Sequence, residues 1–217
     1  MPDFAAARHQ MVQNQLEPNR VSDMRVTSAM EAVPRERFVP EAMAGVAYLD
    51  EDIEIAPGRY LMEPMVFARM LQSASTEGGE IALDVGCVTG YSAAVLASLV
   101  GTVVAVEADE GLAAKATENL TALEADNAVV MVGDHTAGYA EQGPYDIIMI
   151  EGQVPQVPSA LSDQLAEGGR LIAVIGTGNV GRLVRVTRSG DNLLQEELFD
   201  AMLPPLTGFD QPAGFVF

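Results

Sequence analysis

The residue types best suited to chemistry cluster in Asp84-Val-Gly-Cys-Val-Thr-Gly-Tyr91 and recur at Glu107 and at Asp134-His135. A β-branched run, Ile81-Ala-Leu-Asp-Val85, leads into the first of these. Gly86 and Gly90 permit a tight turn that opens a helix, so backbone N–H groups face whatever binds there. Taken alone, the same glycines serve any tight turn. About 20 residues on, a second such run ends at Glu107, and a carboxylate at that spacing can accept hydrogen bonds from both hydroxyls of a ribose. A third run ends before Gly133-Asp134-His135. There an acidic side chain can accept from an adenine amino group while a small residue lets the ring lie flat. Asp134 is equally suited to an Asx turn or a helix cap.

Two other groups bear on mechanism. His135 has only His9 for company, so no triad or histidine metal cluster forms, and it reads as an adenine-edge or surface residue. Cys87 sits near a helix N-terminus, which can lower a thiol pKa, but nothing nearby in sequence supplies a base. It reads as a small turn residue in a chain with a single cysteine, which excludes a disulfide framework and a multi-cysteine metal site.

Strand-like and helix-length segments alternate from Glu80 onward. Strands are expected at 81–85, 103–106, 129–132, 145–150 and 169–175, with helices at 91–100, 110–123 and 158–166. That alternation predicts an α/β fold, a mostly parallel sheet with helices on both faces. Arg182–Arg188 and Leu193–Met202 flank a Ser-Gly-Asp-Asn turn and read as antiparallel C-terminal strands. Before Glu80, helical patterns at Phe4–Gln15 and Val21–Ala32 give way to segments broken by Pro34, Pro40, Pro57 and Pro64. Residues 1–79 thus read as an N-terminal helical cap integral to the domain, and 80–217 as the α/β core.

Composition narrows the function classes. With 12 Lys+Arg against 31 Asp+Glu among 217 residues, the net charge of −19 disfavours non-specific binding to nucleic acid or anionic lipid. At 48% hydrophobic residues the chain can bury a core. The opening residues do not have the pattern of a signal peptide, and a cytoplasmic location is expected. Val85–Val106 lacks charge over a membrane-spanning length, but its glycines and its switch to a β-branched run read as a loop, a buried helix and a strand.

These motifs, together with the cap, resemble the protein-L-isoaspartate (D-aspartate) O-methyltransferase family. The likeness runs through Met11-Val-x-x-Gln-Leu16, Val33-Pro-Arg-Glu-Arg-Phe-Val-Pro40, Ala47-Tyr48-x-Asp50 and Gly90-Tyr-Ser-Ala-Ala-Val-Leu-Ala97. It continues through Val103-Val-Ala-Val-Glu107, Val132-Gly-Asp-His-Thr136, Tyr145-Asp-Ile-Ile148 and Leu165-Ala-Glu-Gly-Gly-Arg-Leu171. The resemblance implies a class I, Rossmann-like methyltransferase fold using S-adenosylmethionine. It implies that Asp84, Gly86, Cys87, Val88 and Gly90 surround the amino-acid part of that cofactor, with Glu107 at its ribose and Asp134 and His135 at its adenine. The implied reaction methylates the misplaced carboxylate of isoaspartyl residues in damaged proteins or peptides, the first step of a repair. A carboxylate is already anionic, so alignment and exclusion of water matter more than a general base.

The chain departs from the family pattern at three places. Ala56-Pro-Gly-Arg-Tyr-Leu-Met-Glu-Pro64 aligns with the family's Gly-x-Gly-Gln-Thr-Ile-Ser-x-Pro, so Met62 replaces a serine and Arg59 and Tyr60 stand beside it on the substrate side. Val88 replaces a glycine where positive φ is needed. Glu151-Gly-Gln153 replaces small residues and puts a carboxylate, either protonated, paired with Arg59 or turned to solvent, near an anionic acceptor. Besides ordinary repair, two readings stay open: a methyltransferase with a cationic acceptor, and a catalytically degenerate member acting as a binding protein.

Overall fold

The computed structural model describes residues 3–178 and 180–209. Residues 1, 2 and 210–217, at the outer ends of the expected cap and core, lie outside them, as does Asn179. The chain opens with α1 (Phe4–Met11), continued by a π-helical turn over Val12–Leu16, and then α2 (Met24–Ala32), whose N-cap Asp23 accepts from the Arg25 amide. These coincide with the two expected helices. Two elements were not foreseen: a hairpin, β1 (Ile53–Ala56) and β2 (Arg59–Leu61), and α3 (Pro64–Ala74). The prolines taken as breakers serve these elements instead. Pro57 sits in the two-residue turn beside Gly58, and Pro64 starts a helix, where its missing N–H has no intrahelical partner to lose.

Asp50 and Asp52 lock the hairpin onto α3 by accepting from the Met65 and Glu63 amides at 3.0 and 2.9 Å. Arg35 is wholly buried and donates to the Ala47 and Met62 carbonyls at 2.7 and 2.6 Å, tying the Pro-Arg motif to the strand that carries Arg59.

The core follows as β3 (Ile81–Val85), α4 (Tyr91–Ala97), β4 (Thr102–Glu107), α5 (Glu110–Ala122), β5 (Ala128–Val132), β6 (Tyr145–Val154), α6 (Ser159–Ser162), β7 (Leu165–Thr177), β8 (Val180–Ser189) and β9 (Asn192–Asp200). The segment 85–106 is thus a loop, a helix and a strand, and no helix among the described residues is long and apolar enough to cross a membrane. In space the strands run β5-β4-β3-β6-β7-β8-β9, parallel as far as β7 and antiparallel beyond. Alternation sends Ala82, Ala105, Ile147 and Met149 into a core shared with α3, α4 and the cap. Leu83, Val104, Ile148 and Ile150 point to the other face.

That second face is covered differently from the expectation. Only one turn of helix, α6, stands where 158–166 was expected, because Leu165 already pairs with Tyr145 in the sheet. Tyr139, Leu161 and Leu206 help to complete the cover.

Strand order reverses between β3 and β6, the point at which α/β sheets open a crevice beyond their carboxyl ends. The loop after β3, the ends of β4 and β6, and the β1–β2 hairpin meet there.

Candidate active site

The loop after β3 carries the backbone geometry that the glycine pattern implies. Gly86 has φ +87° and Gly90 φ +91°, and a Cβ at Gly90 would come within 3.1 Å of the Ala116 Cβ, so this glycine also allows α4 and α5 to approach. Val88 takes the left-handed conformation as well, at φ +53°, despite its branched side chain. The turn puts its N–H 2.9 Å from Glu107 Oε2, which supplies a local reason for the strain.

Glu107 ends β4 with no solvent exposure. Its Oε1 accepts from Arg59 Nη1 at 2.5 Å and the Asp109 amide at 3.0 Å, and its Oε2 from Arg59 Nη2 at 2.7 Å and the Val88 amide. Those four hydrogen bonds match the acceptor capacity of a carboxylate. Burial pushes the Glu107 carboxyl up, and contacts with His135 and Arg59 outweigh it, holding the group at about 2. The Ala108 amide donates to His135 Nε2 at 3.0 Å, so that nitrogen is an acceptor and the ring proton is assigned to Nδ1. The Asp109 amide adds to the lowering of Glu107.

Arg59 takes a different partner from the one expected. Expected on the substrate side, with a pairing to Glu151 as one option, it reaches across the crevice to Glu107 and also donates to the Gly86 carbonyl at 3.3 Å. The physical reason is the short hairpin: the Pro57-Gly58 turn ends beside the strand tips, and the acid there is the stronger partner for a bidentate guanidinium.

Glu151 pairs with nothing at its Oε1, which is sealed from solvent, so the reading that turned it fully to solvent also fails. Burial and the nearby Asp84 hold its carboxyl well above the ordinary range. Asp84 is wholly buried, accepts from Ser92 Oγ at 2.6 Å through one oxygen, and has no partner for the other. Burial raises it to about 7. Tyr60, Met62 and Glu151 line two cavities of about 10 Å³ each, one under the hairpin and one against Gly86, Cys87 and Val88. Neither holds more than about one water molecule.

The remaining expected residues divide. His135 is buried beside Glu107 and is not a surface residue. Asp134 is exposed, and its Oδ1 accepts from the Thr136 amide and hydroxyl at 2.8 Å, the Asx turn that had been its other reading. Cys87 is buried, and the loss of solvent pushes its thiol up, the opposite of helix-end activation.

One participant was not foreseen. An arm after β9 returns over the strand tips, with Gln153 N donating to the Pro204 carbonyl at 3.0 Å and Leu206 N to the Gln153 carbonyl at 2.9 Å. A Cβ on Gly86 would lie 2.9 Å from Leu206 Cδ1, and one on Gly152 2.9 Å from Leu206 Cβ. Leu203-Pro-Pro-Leu206 has neither strand nor helix periodicity, so nothing in its pattern signals where it lies. The strand tips thus offer a nucleoside the right polar groups, but Arg59 and Leu206 fill the space beside them.

A doubly wound sheet with a Gly turn after β3 and an acid at the tip of β4 defines a Rossmann-like α/β domain. Residues 6–211 match the model of the protein-L-isoaspartate(D-aspartate) O-methyltransferase family, and the chain belongs to that family. A protein-L-isoaspartate O-methyltransferase 1 from Rhodopseudomonas palustris is 40% identical over 94% of this chain and 84% of its own length. A protein-L-isoaspartate O-methyltransferase 2 from Marinobacter nauticus is 40% identical over 95% of both. A solved protein-L-isoaspartate O-methyltransferase has a TM-score of 0.80 and 26% identity over 93% of this chain and 66% of that one. A Plasmodium falciparum protein crystallised with S-adenosyl-L-homocysteine shares the fold, with a TM-score of 0.79 and 22% identity over 95% of this chain and 99% of that one.

Proposed function

We propose that this chain transfers a methyl group from S-adenosylmethionine to the side-chain carboxylate of isoaspartyl residues, as a cytoplasmic protein-repair enzyme. The observation that carries the reading is the strand-tip constellation in a chain matched to the family over residues 6–211: Gly86 and Gly90 at positive φ, with Glu107 at the tip of the next strand. When bound, the cofactor supplies an electrophilic methyl group. Gly86, Val88 and Gly90 are proposed to face its amino-acid portion, Glu107 its ribose, and His135 with Asp134 its adenine.

On the acceptor side the chain's own residues do little covalent work. The acceptor carboxylate is anionic at neutral pH and needs placement and a dry cleft. Met62 has no proton to donate, but Glu151, held neutral by burial and by Asp84, has one and can donate to an acceptor oxygen. The same neutrality removes the attraction for a cationic acceptor. The reading as a non-catalytic binder draws on one observation, the saturation of Glu107 by Arg59.

The test is transfer of labelled methyl from S-adenosylmethionine to an isoaspartyl peptide, with the aspartyl isomer as control. Base-labile methyl ester on the isoaspartyl peptide alone is the expected result. Cofactor binding without transfer would overturn the substrate assignment, and absence of both would favour the binder.

A further inference from the structure

We propose that Arg59 is the residue that sets cofactor affinity in this chain, because its guanidinium, backed by Leu206 of the C-terminal arm, occupies Glu107 as an internal competitor for the ribose. The inference rests on the cofactor reading above. A ribose diol bonds a carboxylate through the oxygens and lone pairs that Arg59 uses. The remaining two acceptor positions of Glu107 go to the Asp109 and Val88 amides, which belong to the loops on either side of the subsite and have no reason to leave. Glu107 can therefore receive a ribose only by releasing Arg59.

Arg59 is 7% exposed and has two further polar contacts or near contacts at the site: the Gly86 carbonyl at 3.3 Å, and His135 Nε2 at 3.4 Å, itself bonded to the Ala108 amide. Leu206 closes the same space from the other side, resting on Gly86 and Gly152, which have no side chains to hold it off. Its own attachment is light at the edge, a short parallel pairing to Gln153 through two hydrogen bonds. The two occupants sit on different elements, the β1–β2 hairpin and the arm, and both elements also line the cavity beside Glu151. Entry of a nucleoside at Glu107 thus moves the two segments that also wall the acceptor side. A ligand that must wait for this release binds more weakly than its contacts allow, by the fraction of molecules in which Arg59 is away.

The experiment is calorimetric titration of the full chain with S-adenosylhomocysteine, comparing wild type, Arg59→Met and Leu206→Ala at constant salt and pH. Arg59→Met is expected to bind at least about tenfold more tightly than wild type, and Leu206→Ala more tightly by a smaller factor. Leu206→Ala leaves the ion pair intact and keeps the test alive if Arg59→Met fails to fold. A second readout is amide exchange: in wild type the Leu206 and Gln153 amides should exchange faster when the ligand is added. Tight binding by wild type with no gain in either variant would overturn the competitor while leaving the cofactor reading standing. No binding by any of the three at millimolar ligand would overturn the cofactor reading, and the competitor with it.

Discussion

The two sides of the crevice place buried carboxylates a short distance apart and treat them oppositely. On the β4 side, Glu107 has no solvent exposure, receives four hydrogen bonds and is held ionised, at about 2. On the β3–β6 side, Asp84 is just as buried, receives one hydrogen bond and is raised to about 7. Glu151, with an unpartnered oxygen, is also raised well above the ordinary range. Burial pushes all three the same way, so the number and charge of the partners decide which carboxyl keeps its proton. One guanidinium makes the difference: Arg59 faces Glu107 and not Glu151.

The comparison breaks most visibly if Arg59 is removed. Arg59→Met leaves Glu107 buried without its counter-charge, and the loss of stability should be about 3–5 kcal/mol by denaturant unfolding at neutral pH. Glu107 should then take a proton as its neighbours across the crevice do, so the loss should shrink as the pH is lowered toward 5. In wild type the sign is reversed. A folded-state pKa below the unfolded value of 4.5 stabilises the protein above that pH, and the contribution disappears as the pH falls toward about 2.

A smaller effect sharpens the other side. Because the folded-state pKa of Glu151 is raised, its neutral form contributes full stability below about pH 4.5, and that contribution is lost as pH rises toward the folded value. Glu151→Gln keeps the shape and donor without the titration. It should match wild type near pH 5 and be the more stable of the two at pH 8. A constant difference across that range would show that Glu151 is ionised in the folded protein. The smallest effect concerns the loop between the two sides. Val88→Gly relieves a left-handed valine but empties a buried site, so stability should change by less than about 1 kcal/mol.

Much of this arrangement was legible in the sequence where local pattern and global fold agree. Val103-Val-Ala-Val-Glu107 reads as a strand because a parallel sheet buried on both faces takes continuous β-branched runs, and it ends at its acid for the same reason. Gly86 and Gly90 were legible as a turn because their freedom at positive φ is a property of glycine itself. The partner of Glu107 was not. Arg59 lies 48 residues away on a hairpin that the prolines obscured, and an arginine's reach is set by where its strand ends in space. The arm at Leu206 was illegible for a related reason, since it follows no period and is held by pairing to Gln153. Val88 shows the reverse case. Its residue type argues against positive φ, and the surrounding hydrogen bonds impose it.

The most direct test of the account is a double-mutant cycle on the pair, with Arg59→Met, Glu107→Gln and the double variant unfolded by denaturant at neutral pH. The structure predicts that the double variant is nearly as stable as the better of the two single variants, giving a coupling nearly as large as the loss in the worse one, about 3–5 kcal/mol. Additivity within about 0.5 kcal/mol would mean that Arg59 does not hold Glu107 in solution, and the internal occupation of the ribose carboxylate would be wrong.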